Sequence, residues 1–395
     1  MFTMICVNDL AGAGKIVPDW MVHFSDRHKG SGMTFVDLVF PAFLFIVGMS
    51  IPFAFNSRLQ KGEPVGKLLL HILARTFSLL IIGVLMVNEA PSSEKMGWSA
   101  ALWQTLMFAS AILAFCAIAP RGKTQANAKP WRIISFCIRV LGVAGLAWLA
   151  FAWCGDQGER IITLSPFSLR TEWWGILGLI GWAYLVAAVV YLIFRGQRTA
   201  LLGCMVLLFC LFAADRKNVF DNFWLANVVS IGETLGSQAA ITVAGLLLAS
   251  ILTAPDLGKL RARIQSTLLF IAAMAIGALL LQKLYGISKN NATPPWCLWS
   301  CAITAALWLI FHFVCDVRRI GAITTPLTIA GQNVLLAYLL SEMMPSLLDN
   351  CNLGDWYWRL SQPNLACAVG RSVACGILVL ALTAGLNRLG FRLKL

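Results

Sequence analysis

Four histidines occur in the 395 residues, and their chemical prospects differ. His71 and His312 lie in apolar runs near ends rich in Lys and Arg, where an imidazole packs or meets solvent. His23 and His28 sit instead in a polar stretch that precedes Asp37 and follows the pair Asn8–Asp9. An imidazole beside a carboxylate is the usual general base at neutral pH, because the carboxylate fixes the tautomer and raises the basicity of the other nitrogen. Either histidine, oriented by Asp37 or Asp9, could take a proton from an attacking nucleophile, with Asn8 as an amide donor to substrate or oxyanion. A loop histidine is more often merely solvated, so residue type alone leaves the question open.

A second set of candidates is charge stranded in apolar sequence. Arg75, Arg139, Arg371, Asp37, Glu233 and Glu342 all fall inside long hydrophobic runs. Each costs several kcal/mol in hydrocarbon unless it pairs, snorkels or faces a bundle interior. Arg139 and Arg371 lie near run ends and are expected to snorkel. Arg75 is deeper, roughly 10 Å in at the helical rise; an interhelical salt bridge and an anionic ligand are equal readings. Glu342 follows Gln332, Asn333 and Tyr338 at helical spacing, a pattern that fits a polar cavity or interhelical hydrogen bonding.

The elements that must position these residues follow from composition. Hydrophobic residues make up 59% of the chain and charged residues 12%, with mean hydropathy +0.76. Ordinary soluble domains carry about 25% charged residues. Fifteen Trp against five Tyr also suit a bilayer, where Trp anchors at the headgroups. The net charge of +13 is dispersed in short loops, which argues against a nucleic-acid partner. Runs of about 20 apolar residues, enough to span, begin near Phe35, Leu68, Ser99, Ile133, Trp173, Ala200, Asn227, Ser266, Cys297, Leu327 and Ala366. That predicts an all-α polytopic bundle of eleven complete spans, treated as one domain over residues 1–395. Met1–Val7 reads as the tail of a further helix whose beginning is missing.

Loop charge sets the orientation. Loops 56–67, 121–132, 195–198, 254–263 and 316–319 with the tail 387–395 hold 17 Lys/Arg and three acids. The alternate set, 9–32, 89–97, 154–172, 215–222, 283–296 and 349–365, holds 11 Lys/Arg and twelve acids. The positive-inside rule makes the first set and the C-terminus cytoplasmic, so His23 and His28 face outward. Twelve Cys include no CxxC pair, so no metal is expected; Cys154 and Cys351, both assigned outside, could pair.

Residues Gly32-Met33-Thr34-Phe35-Val36-Asp37-Leu38-Val39-Phe40-Pro41-Ala42-Phe43-Leu44-Phe45-Ile46-Val47-Gly48-Met49-Ser50-Ile51 form the most distinctive stretch. It resembles the G-(L/M)-T-x-x-D-L-V-F-P-x-F-x-F-I-x-G-x-S-I pattern of the heparan-α-glucosaminide N-acetyltransferase family and its bacterial relatives. Met4-Ile5-Cys6-Val7-Asn8 resembles the family's M-x-x-V-N, and weaker echoes occur at 174–184, 290–299 and 331–338. The resemblance implies a multi-pass acetyltransferase of the cytoplasmic (inner) membrane. It would take acetyl-CoA from the cytoplasm, bound by Arg75, and deliver the acetyl group to an amino sugar or glycan on the periplasmic or extracellular side. The family carries an essential His five residues before the Gly; here His28 stands four before Gly32 and His23 nine, and His23 follows Trp20 as the family His follows an aromatic residue. The resemblance favours His23, oriented by Asp37 or Asp9, and makes Asn290, Trp296, Asn333 and Glu342 candidates for the acceptor end of a cavity. The partners implied are the lipid bilayer, acetyl-CoA, the acceptor glycan and a homodimer. Direct transfer and a covalent acetyl-His both fit. The rival reading is a multi-pass transporter or acyl-group flippase without sugar acetylation.

Overall fold

The computed structural model describes residues 1–118, 129–165, 167–254, 259–318, 328 and 331–395. Parts of the loops 121–132, 254–263 and 316–319 lie outside the described residues, as does the start near Leu327. The described helices longer than one turn are α1 (Phe2–Ala11), α2 (Val39–Gln60), α3 (Val65–Val87), α4 (Ala100–Phe115), α5 (Lys129–Ala152), α6 (Gly175–Phe194) and α7 (Arg198–Asp215). They continue with α8 (Ala239–Leu252), α9 (Leu260–Tyr285), α10 (Pro294–His312), α11 (Val334–Asn350), α12 (Gly354–Arg359) and α13 (Leu365–Arg388). A π-helical segment, Ile231–Gln238, leads directly into α8.

Nine of the described helical stretches are long and apolar enough to cross a membrane. The other two runs read as spans correspond to α4, of 16 residues, and α11, of 17. At 1.5 Å per residue each is shorter than a hydrocarbon core of about 30 Å. Local chemistry explains several boundaries. Ser99, Ser230 and Asn364 cap their helices by accepting from the backbone N–H of Leu102, Glu233 and Cys367, and two prolines open α10, where no intrahelical N–H is lost. Two short antiparallel ladders join the helices: β1 (Cys116–Ile118) with β4 (Phe391–Leu393), and β2 (Ile162–Leu164) with β3 (Phe167–Leu169).

The chain forms two compact units, each built from discontinuous segments. One comprises Asp19–Gly83 and Trp173–Ile320. Its centre is the stretch Ile231–Leu252, most of whose residues are buried. That helix is rich in Ala and Gly, which lets neighbours close on its backbone. A Cβ on Gly48 would strike the Thr242 carbonyl and one on Gly245 the Phe45 carbonyl, so α2 and α8 cross at backbone contact. Gly175, Gly178 and Gly181 recur at helical spacing on α6; a Cβ on Gly83 would reach Gly178 N at 2.5 Å, so α3 packs on that face.

The other unit comprises Met1–Pro18, Val84–Glu172 and Gly321–Leu395. In it α4 packs on α5 and α11, and α1 on α13. Thr105 Oγ1 donates to Ser346 Oγ at 3.1 Å, and Asn350 Nδ2 to the Ala101 carbonyl at 3.0 Å. Exposed apolar side chains such as Ile133, Phe136, Leu141 and Trp148 on α5 suit lipid rather than water, and in the first unit Leu269 and Leu280 on α9 are of the same kind.

Candidate functional site

The first unit gathers His23, Asp37 and Lys289. Asp37 opens a 3₁₀ turn (Val36–Leu38) that runs into α2. Its Oδ2 reaches back to the Thr34 N–H at 3.0 Å, the acidic half of a capping box. The same oxygen accepts from the Phe24 N–H at 3.1 Å, and Oδ1 meets His23 Nδ1 at 2.7 Å. Thr34 Oγ1 donates to the Val22 carbonyl at 2.6 Å, which holds the polar segment against the helix start. A Cβ on Gly32 would enter the ring of Phe24, so the glycine of this motif packs against the residue that follows His23. The Asp37 side chain is 2% exposed and that of His23 32%. The carboxylate is thus spent within the protein while the imidazole keeps an open edge.

Lys289 completes the group from the loop between α9 and α10. Ser31 Oγ accepts from the Ile287 N–H at 2.6 Å and the Ile287 carbonyl accepts from the Gly32 N–H at 2.9 Å, lacing that loop to the motif. Lys289 Nζ then lies 3.1 Å from His23 Nδ1 and 3.2 Å from Nε2. A point nearly equidistant from both nitrogens at that range cannot lie in the ring plane without overlapping ring carbons, so the amine stands over the ring face. With Nδ1–H donated to Asp37, the in-plane lone pair of Nε2 remains available to a substrate proton. Burial pushes the Lys289 ammonium below its ordinary value, and the Asp37 and Asp26 carboxylates push back.

His28 is not part of this group. Its Nε2 lies 3.5 Å from Asp19 Oδ2, its ring tilts against Phe24 with centroids 5.0 Å apart, and its side chain is 42% exposed. Asn290, next to Lys289, is exposed. Trp296, at the start of α10, is fully buried, and its indole N–H has no acceptor among the described residues. Arg75 lies 4.7 Å over the Tyr184 ring; no carboxylate among the described residues pairs with it, and its buried Nε has no acceptor. Of the two equal readings of Arg75, the salt bridge finds no partner among the described residues. Glu233 pairs with Arg216 at 3.0 Å in the first turn of its helix. His71 pairs with Glu63 and His312 with Asp316.

Asn8 and Asp9 belong to the other unit. Asn8 Nδ2 donates to Glu342 Oε1 at 2.9 Å. Asp9 is not a histidine partner: its Oδ2 receives Arg371 Nε at 3.1 Å, Arg371 Nη2 at 3.0 Å and Ser372 Oγ at 2.5 Å. Tyr357 Oη donates to Asp9 Oδ1 at 2.5 Å, and burial together with that carboxylate pushes the hydroxyl well up. The expectation that Arg371 snorkels is corrected, because its side chain is 3% exposed and lies within 4.8 Å of the Tyr357 ring and 4.5 Å of the Trp358 ring. Arg139 also binds protein, donating to the Cys116 carbonyl at 2.6 Å. Of the two readings left open for Asn333 the structure shows hydrogen bonding: Nδ2 donates to the Phe391 carbonyl at 3.2 Å and Oδ1 accepts the Leu393 N–H at 3.2 Å, so its amide holds the C-terminal strand. Gln332 accepts from Asn387 at 3.1 Å in the same region. Cys154 and Cys351 are both free thiols.

Sequence reasoning missed Lys289. One signal was present: 283–296 is the only loop of the less basic set without an acid, and Lys289 is one of its two cations.

Comparison with known proteins adds two findings. Residues 2–218, more than half of the chain, match the family described as a domain of unknown function, DUF5009. Over 68 residues the chain is 44% identical to the heparan-alpha-glucosaminide N-acetyltransferase of Mus musculus and 41% identical to that of Homo sapiens. Those 68 residues are 17% of this chain, and the chain spans only 10% of the length of these curated relatives. The extent of the first match decides the assignment: the chain belongs to the DUF5009 family.

Proposed function

We propose that this chain is a membrane-bound acetyltransferase that moves an acetyl group from cytoplasmic acetyl-CoA to an amino sugar or glycan on the outer side. The observation that carries the reading is the His23–Asp37 pair with Lys289 over the ring, formed at the segment that resembles the acetyltransferase family. The likeness to heparan-alpha-glucosaminide N-acetyltransferases supports the same chemistry. The proposed topology has eleven spans, with α4 and α11 included, and a cytoplasmic C-terminus. Positive-inside loop charge supports that orientation.

In the proposed step the acceptor's neutral amine attacks the acetyl carbonyl carbon. A C–N bond forms, the C–S bond of the thioester breaks, and the amine proton passes to His23 Nε2. The departing thiolate takes a proton, so CoA leaves as the thiol. Asp37 holds the imidazole tautomer and balances the imidazolium. Lys289 places a cation where the oxyanion of the tetrahedral intermediate develops, an electrostatic role of the kind worth 10²–10³ in rate when removed. Arg75, which has no acidic partner among the described residues, is the proposed contact for an anionic part of acetyl-CoA. Asn290, exposed next to Lys289, is the proposed acceptor contact.

The test is CoA release by solubilised protein given acetyl-CoA and glucosamine-terminated oligosaccharides. Sugar-dependent release is expected, with His23→Ala lowering it by at least about a hundredfold and Asp37→Asn by a comparable factor. His28→Ala is expected to stay within about threefold of the unaltered chain, since exposed groups away from the chemistry have small effects. Release that survives His23→Ala contradicts the assignment.

A further inference from the structure

The β2–β3 ladder lies in the unit that contains Val84–Glu172, and its polarity is inverted. In an antiparallel ladder directly paired residues share a face and successive residues alternate between faces. The register pairs Ile162 with Leu169, Thr163 with Ser168 and Leu164 with Phe167. Ile162, Leu164, Phe167 and Leu169 therefore stand on one face, Thr163 and Ser168 on the other. The Arg170 N–H donates to the Ile161 carbonyl at 2.9 Å, which adds Ile161 and Arg170 to the face that bears the hydroxyls. That face is the one turned to the protein, because Ile161 is 1% exposed and the Arg170 guanidinium lies 5.1 Å over the buried Trp153 ring. The apolar face points away: Leu164 is 72% exposed, Phe167 77%, and Leu169 is exposed as well.

An antiparallel ladder at a wetted protein surface turns its apolar face inward and its polar face outward. The reverse order here calls for an apolar medium on the outer side, and the attachment of the ladder fixes where that medium is. Arg160 Nη1 donates to the Phe151 carbonyl at 3.2 Å, in the last turn of α5. Asn88 Nδ2, one residue beyond α3, donates to the Arg170 carbonyl at 3.0 Å, and Trp153 Nε1 donates to the Asn88 carbonyl at 2.7 Å. The base of the ladder is thus tied to the ends of two candidate spans, Val65–Val87 and Pro130–Ala152, where hydrocarbon gives way to headgroups. Trp148 and Phe151 are exposed near the end of α5, so outward apolar surface reaches that level. At about 3.3 Å per residue, strands of three residues extend about 10 Å, the depth of an interfacial layer. The outer edges of a two-stranded ladder carry unpaired N–H and C=O groups, which exclude the centre of the bilayer. A second copy of the chain is the poorer occupant. The exposed area of the four apolar side chains is roughly 400 Å², half of the about 800 Å² per partner that a stable protein interface needs.

We infer that the apolar face of the β2–β3 ladder is inserted among lipid chains at the membrane boundary where α3 and α5 end. Leu164 and Phe167 are its deepest side chains, and the exposed Arg160 at the base stands at the level of the lipid phosphates. The inference depends neither on acetyl transfer nor on which side of the membrane that boundary faces.

The experiment uses the full-length protein in nanodiscs of dioleoyl phosphatidylcholine. Photoreactive p-benzoylphenylalanine replaces Phe167 in one variant, Leu164 in a second and Ser168 in a third, and the adducts formed on illumination are identified by mass spectrometry. Leu141, exposed on α5, is replaced in a fourth variant as the reference for lipid contact. Lipid adducts are expected at positions 164 and 167 as at 141, exceeding those at 168 by at least about fivefold, since successive strand residues point to opposite faces. Adducts joining two copies of the chain at 164 and 167 would make a second copy the occupant, and adducts within one chain would put protein over the face. Either result overturns the inference. So does the absence of adducts at 164 and 167 while position 141 reacts, or lipid labelling at 168 equal to that at 167.

Discussion

At the scale of residues, the account rests on three side chains with unequal roles. His23 presents a lone pair, Asp37 is buried behind it with its oxygens bonded to Nδ1 and two backbone N–H groups, and Lys289 stands over the ring. The lowered position of the Lys289 ammonium gives a pH consequence with a definite sign. If the charged form assists the oxyanion, activity falls as pH rises through that lowered value, before the ordinary lysine value of about 10.4 is reached. Stability runs the other way: between the two values the unfolded chain holds more protons, so folding becomes more favourable as pH rises. The expected result is an alkaline limb in the rate profile that Lys289→Met removes while lowering the plateau about a hundredfold. A limb that persists in Lys289→Met assigns the titration to another group. His23 and Asp37 were legible in the sequence because they lie 14 positions apart in one polar segment. Lys289 was not, because 266 positions separate it from His23 and only the lacing of Ser31 and Gly32 to Ile287 unites them.

At the scale of elements, the sequence revealed apolar runs better than their partners. Arg371 shows why. Its position near the end of a run suggested snorkelling, yet it is held in protein by Asp9, Ser361, Tyr357 and Trp358, none of which hydrophobic periodicity can connect to it. Asn333 is comparable, since helical spacing relates it to Glu342 but cannot show that its amide bonds to the C-terminal strand. The glycines of α6 and of α2 carried no packing message in the sequence, and only the structure shows their backbone-to-backbone packing. The Asp9–Arg371 pair joins α1 to α13 and carries its own expectation. Breaking a buried pair from one side costs about 3–5 kcal/mol, because a charge is left unmatched. Arg371→Met and Asp9→Leu are each expected to lower the thermal midpoint strongly, and the double variant to recover much of the loss. Additive losses in the thermal scans would show that the pair is not coupled as drawn.

At the scale of the whole molecule, composition and span length made the all-α, multi-pass class legible from the start, and nine described helices meet the length and hydropathy expected of spans. The shorter α4 and α11 blurred the count, since an apolar run does not reveal where capping by Ser99, or the residues before Val334, will start a helix. The two-unit organisation was illegible because each unit interleaves segments distant in sequence. The central claim is that acetyl transfer crosses the bilayer and uses His23. The most direct measurement is in sealed proteoliposomes of known protein orientation, with radiolabelled acetyl-CoA confined to the face bearing the basic loops and a glucosamine-terminated acceptor confined to the other. The account predicts labelled acceptor that requires this sidedness and vanishes with His23→Ala. No labelled acceptor in either orientation, or labelling that is unchanged in His23→Ala, would contradict it.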